Sequence, residues 1–247
     1  SENGFGSYVY ERYDKEQSYR YLKEYIYDKY KNSHYQITGK STYLDERTKG
    51  IHESPRNMEF HVENHKSSIR GVLTPSASVG EEKHTAGLTV TLYENMPCID
   101  VKLSVINKPA TEEPEAGWIA LPFKTKSPEY RVGRIGSVVD PAKDLIEGSQ
   151  FNYIWSNSGI MIKDEEYSVG VCPIDAPAFV LGDLDFMHYA DTYENPRSHV
   201  YFNLFNNRWN TNFASFWNGN LTSEVRLWVN PKNADDESGL ITPAWET

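Results

Sequence analysis

The sequence predicts an all-β protein, a large antiparallel β-supersandwich carrying one N-terminal helix. Two observations predict it: a single capped amphipathic segment near the start, and about a dozen strand-like segments after it. Turn residues separate many of these segments, and no further helix is read between them.

The helix is expected over 14–30, "DKEQSYRYLKEYIYDKY". Asp14 is a good N-cap, and Gln17 stands three residues on, as a capping box requires. Tyr21, Leu22, Tyr25, Ile26 and Tyr30 fall on one helical face. Strands are expected at 58–62, 68–73, 87–93, 98–106, 117–123, 130–138, 151–155, 159–163, 167–172, 177–181, 199–205 and 223–229. Asn95-Met96-Pro97, Asn107-Lys108-Pro109 and Asn157-Ser158-Gly159 mark turns between them. Residues 84–108 form the clearest hairpin: Leu88, Val90 and Leu92 alternate on one arm, and Ile99, Val101, Leu103 and Val105 on the other. Trp118 and Trp155 read as core or edge residues, and 233–238 ("NADDES") as a solvated loop.

The 247 residues suffice for one large all-β domain, and a formal net charge of −10 disfavours nucleic acid and anionic membrane surfaces as partners. Seventeen Tyr suit a sandwich, since the ring fills a strand face and the hydroxyl stays wet. Cys98 and Cys172 are expected as free, half-buried thiols, although a disulfide between them is possible. No apolar run reaches membrane-spanning length and no signal peptide is read, so a soluble protein is expected, with a cytoplasmic setting favoured. The opening Ser-Glu-Asn is not a natural initiator and suggests a processed or excised piece.

Several motifs are missing. No phosphate loop or dinucleotide fingerprint occurs, and the glycines of "GRIGS" (133–137) read as a kink or bulge inside a strand. His61 and His65 have the spacing of helical metal ligands, but a strand and turn would not aim both at one ion. "NSG" at 157–159 lacks the strand–turn–helix of a nucleophile elbow. No catalytic residue and no metal site is predicted within this chain.

The order of segments carries a family resemblance. The hairpin "VTLYENMPCIDVKLSVINK" leads to "WIALPFKT" (118–125), then "YRVGRIGSVVDP" (130–141), "GSQFNYIWSNSGIMIKDEEYSVGV" (148–171) and "YFNLFNNRWNTNF" (201–213). This succession resembles the β region that follows the barrel in glycoside hydrolase family 38, the α-mannosidases. The opening "GFGSYVYERYDKEQSYRYLKEY" resembles a bridge found in α-mannosidase-like bacterial proteins. The resemblance covers roughly residues 4–230. It implies a galactose-mutarotase-like supersandwich at 36–247, preceded by an N-terminal strand and helical bridge at 1–35, the two together forming one compact unit. It also implies a partner, the catalytic barrel of the same chain, which would hold the zinc and the nucleophile; no cofactor is implied for this fragment. The family's Arg-Pro stands here as Asp140-Pro141, which puts in doubt any basic role at 140.

Residues 205–220, "FNNRWNTNFASFWNGN", mix two Trp, three Phe, six Asn and one Arg. Sugars present C–H faces that stack on aromatic rings and hydroxyls that amides and guanidinium groups can bond. Asn207, Arg208, Trp209, Asn212 and Trp217 are therefore the candidate carbohydrate-binding residues. The competing reading is structural: Asn side chains satisfy loop backbone, and rings staple the loop to the sheet. Trp209, next to the strand at 199–205, is where the staple is most expected. Two functions remain open at this stage. One is an accessory domain of an α-mannosidase-like glycosidase, inactive alone. The other is a stand-alone carbohydrate-binding or aldose-epimerase-like protein, for which His188, His199 and Glu224 are candidate acid–base groups.

Overall fold

The computed structural model describes residues 4–27, 47–55, 58–75, 79, 84–209, 214–231 and 234–247. Its strands are β1 (Ser7–Arg12), β2 (Ile51–Glu53), β3 (Met58–Asn64), β4 (Ser68–Pro75), β5 (Thr85–Tyr93), β6 (Cys98–Lys108), β7 (Glu115–Pro122) and β8 (Glu129–Arg134). They continue with β9 (Ser137–Val139), β10 (Tyr153–Trp155), β11 (Ile160–Lys163), β12 (Tyr167–Pro173), β13 (Ala178–Leu181), β14 (His199–Asn206) and β15 (Gly219–Pro231). All the strand pairings are antiparallel. One sheet runs β10-β13-β14-β7-β1-β2 and the other β3-β4-β5-β6-β15-β12-β11-β8-β9.

The sheets meet across one core. Tyr8, Ile119, Leu121, Phe179 and Phe202 of the smaller sheet face Val101, Leu103, Val132, Ile160, Val171 and Val225 of the larger. The expected 84–108 hairpin is present, with Leu88, Val90 and Leu92 opposite Leu103, Val101 and Ile99. Alternation places one set of side chains in the core, which is why this hairpin is legible in the sequence. At one end of the larger sheet Phe60 and Val62 of β3 and Ile69 of β4 are exposed.

The helix begins as the sequence requires. Asp14 Oδ1 accepts from the Gln17 amide at 2.8 Å, and Gln17 Oε1 accepts from the Asp14 amide at 3.0 Å. Helix α1 covers Lys15–Leu22 and loosens into a π-helical turn over Lys23–Tyr27; the expected continuation through 28–30 lies outside the described residues. Its Tyr21 packs on the outer face of the smaller sheet, beside Val9, Trp118, Ala120 and Val180. Strand β7 is thus covered on both faces, and Trp118 is fully buried as a core residue.

Three expectations need correction. Residues 130–138 are a hairpin of β8 and β9, because Ile135 (φ 47°) and Gly136 (φ 76°) make a two-residue turn with both φ values positive. Residues 237–238 of the expected solvated loop enter a π-helical turn over Glu237–Ile241, followed by the short helix α2 (Thr242–Trp245), a second helix the sequence did not suggest. That turn buries Leu240 against Met161 and Trp228 on the outer face of the larger sheet. β2 was also unforeseen; its three residues carry no alternation, and among the described residues they pair only with β1. The thiols are free, with Cys98 half-buried and Cys172 buried.

The chain crosses from the larger sheet to the smaller between Lys108 and Glu115. Both side chains are buried and form an ion pair. Tyr10 donates to the other Glu115 oxygen at 2.9 Å, and Lys108 Nζ donates to the Pro109 carbonyl at 2.8 Å. Each charge is therefore compensated by its partner and by hydrogen bonds, as a buried pair must be.

Candidate carbohydrate cleft

Strand β14 carries a bulge between Asn203 and Phe205 opposite β7. The Asn203 amide donates to the Gly117 and Phe205 carbonyls at 3.2 and 3.0 Å, while its Oδ1 accepts from Tyr153 at 3.2 Å and Asn206 at 2.7 Å. Gly117 is required here, since a Cβ would lie 2.3 Å from the Phe205 ring. A bulge re-aims the chain that follows it, and this one precedes the amide-aromatic segment.

The structure separates the predicted site residues. Asn207 is buried and committed to backbone: its Oδ1 accepts from the Glu115 amide at 2.6 Å and its Nδ2 donates to the Thr111 and Glu113 carbonyls at 3.0 and 2.9 Å. It clamps the crossover loop and presents no amide hydrogen to a ligand. Trp217 sits apart, its ring 5.6 Å from Phe205 and 5.3 Å from Lys108 Nζ. Asn212 lies outside the described residues. Arg208 and Trp209 are brought together, and they line one cleft of about 440 Å³ with Tyr21, Tyr25, Ser149, Gln150, Tyr153, Trp155 and Tyr189. That size lies within the roughly 300–1,000 Å³ of small-ligand sites.

Four separate stretches build this cleft. Helix α1 and the turn after it supply Tyr21 and Tyr25, whose rings lie 5.4 and 5.6 Å from Trp209. The approach to β10 supplies Ser149 and Gln150, and β10 itself Tyr153 and Trp155. Trp155 stands on the edge strand of its sheet and is 55% exposed. Tyr189 stacks towards Tyr25 at 5.0 Å, held because Glu24 accepts from the Tyr189 amide at 2.9 Å and pairs with His188 Nδ1 at 2.8 Å. Arg208, only 7% exposed, lies between the Tyr21 and Phe186 rings, 4.0 Å from each centroid. Burial depresses its pKa, and the neighbouring phenols oppose that shift. Burial also raises Tyr21 and Tyr153 to about 12, so both remain neutral donors.

The cleft therefore offers ring faces, neutral hydroxyls, one amide and one cation. Of the residues lining this cleft, the sequence reading named Arg208 and Trp209 as candidates and did not name the tyrosines, Trp155 or Gln150. The i, i+4 spacing of Tyr21 and Tyr25 was the available signal, since it placed both on one face. The candidate acid–base groups are dispersed: His188 pairs with Glu24, His199 lies on β14, and Glu224 lies on β15 in the other sheet. His61 and His65 each approach Glu63 at 3.4 Å on the exposed β3 edge. Among the described residues no group of three or more His, Cys, Asp or Glu is placed to hold a metal.

No family model matches this sequence. No curated protein matches it either. Solved structures do match. An α-mannosidase from Enterococcus faecalis V583 is 10% identical with a TM-score of 0.55, covering 92% of this chain and 26% of its own. A galactose 1-epimerase from Lactobacillus acidophilus NCFM is 11% identical with a TM-score of 0.42, over 70% of this chain and 66% of its own. An α-galactosidase from Geobacillus stearothermophilus is 14% identical with a TM-score of 0.39, over 70% of this chain and 25% of its own. The α-mannosidase likeness shows the fold, the antiparallel β-supersandwich expected from the sequence; this chain spans about a quarter of that protein's length. No helix among the described residues is long and apolar enough to cross a membrane.

Proposed function

We propose that this chain is the accessory β domain of an α-mannosidase-like glycoside hydrolase, supporting a catalytic barrel and contacting carbohydrate through the Arg208–Trp209 cleft. The observation that carries the sugar half is the grouping of exposed Trp155, half-buried Trp209, Gln150 and Arg208 around one opening. Exposed rings beside amides and a guanidinium suit the C–H faces and hydroxyls of a sugar. The barrel half is supported by the extent of the α-mannosidase likeness, which takes in nearly all of this chain and a quarter of the larger protein. In this reading residues 1–35 and 36–247 act as one unit, since β1 lies between β2 and β7 inside the smaller sheet. The stand-alone epimerase reading has less support, because His188, His199 and Glu224 lie on different parts of the fold.

Calorimetric titration of the 247-residue chain with methyl glycosides and short oligosaccharides, neutral and acidic, tests the sugar half. Binding that Trp155→Ala weakens at unchanged melting temperature is the expected result; no binding by a folded chain sinks it. The coding sequence upstream of Ser1 tests the barrel half, which requires a barrel bearing Asp and His metal ligands.

A further inference from the structure

Arg208 is a buried cation with no carboxylate partner among the described residues. Nη1 donates to the Phe186 carbonyl at 2.9 Å, and rings cover both faces of the guanidinium. Nε is buried without an acceptor, and no bond from Nη2 to the described residues is formed. These two nitrogens form one edge of the planar group, the edge that takes a carboxylate side-on. The acids of the neighbourhood are engaged elsewhere: Glu24 with His188 and the Tyr189 amide, Asp185 with Arg20, and Glu11 with Tyr13, Trp118 and His52. A buried charge normally has a counter-charge, and among the described residues none supplies one to Arg208, whose side chain lines the cleft.

We propose that the sugar taken by this cleft is acidic, a uronic acid residue whose carboxylate meets the Arg208 guanidinium while its ring lies against Trp155. The inference rests on the carbohydrate reading above and adds the class of sugar. The carboxylate supplies the counter-charge that this buried guanidinium lacks, which a hydroxyl does not. The aromatic lining strengthens the attraction by keeping water from the guanidinium.

The test is calorimetry on the full chain at pH 7 and low salt, with methyl β-D-glucuronide, its methyl ester, methyl β-D-glucoside and glucose 6-phosphate. The acid should bind at least about ten-fold more tightly than its ester, the usual scale for a charge-assisted bidentate pair. That advantage should shrink in 1 M salt and disappear in Arg208→Gln. Should Arg208→Gln fail to fold, the acid–ester comparison on the unaltered chain still decides. Trp155→Ala should weaken acid and ester alike. Equal affinity for acid and ester overturns the acidic-sugar proposal and leaves the carbohydrate reading standing. Tighter binding of the sugar phosphate than of the glucuronide overturns the carboxylate in favour of a phosphate. Binding of none of the four by a folded chain, or binding indifferent to Trp155→Ala, overturns both.

Discussion

Trp118, Trp155 and Trp209 share a residue type and little else. Trp118 is sealed between helix and sheet, with Nε1 donating to Glu11 at 3.0 Å. Its replacement by Ala should cost about 3–5 kcal/mol, the range for large core aromatics, measured as a shift in the denaturant midpoint. Trp155→Ala should stay within about 0.5 kcal/mol of the parent, as exposed substitutions do; a collapse comparable to Trp118→Ala would make Trp155 a staple and remove it from the cleft. His84 makes a different prediction. It is buried, paired with Tyr8 Oη at 2.9 Å, and its pKa falls to about 4 through burial and the Lys108 charge. Between pH 4 and 6.5 the unfolded chain binds this proton and the folded chain does not, so stability falls as pH drops through that window. The loss approaches about 3 kcal/mol near pH 4. Thermal melts of the parent and His84→Gln should therefore converge as pH falls from 6.5 to 4; curves that stay parallel would mean His84 is not held neutral.

At the scale of elements, what alternates could be read and what is assembled from distant pieces could not. The hairpin of β5 and β6 declares itself because apolar residues alternate along each arm, and β6 buries Val101, Leu103 and Val105. The cleft does not, because residues 21–25, 149–155, 189 and 208–209 meet only after the smaller sheet forms. Only 208–209 carried an unusual composition, and their neighbour Asn207, identical in type to a sugar-binding amide, serves the loop backbone instead. The β8–β9 turn was missed for a related reason: Ile135 is β-branched, 90% exposed and at φ 47°, a conformation that Asn or Gly normally supplies. Ile135→Asn should stabilise the chain by about 0.5–1 kcal/mol, read from chemical denaturation. A destabilised variant would show that Ile135 contributes something other than its turn.

For the whole molecule, the proposed reading assigns sugar contact to this chain and hydrolysis to a barrel. The isolated chain should not hydrolyse aryl α-mannosides, with or without added zinc. Turnover above a denatured control, abolished by a substitution within these 247 residues, would refute that expectation. The unequal size of the two sheets has a consequence of another kind. In the larger sheet, β3 ends the strand order with an unpaired edge among the described residues, and Phe60 and Val62 are exposed on it. Such an edge can template fibrils by pairing with another copy. Glu59 and Glu63 alternate with those apolar residues, so two approaching edges would meet like charge against like. His65 and His61 hold the Glu63 carboxyl below its usual range. The carboxylates along β3 thus act as an electrostatic guard against self-association.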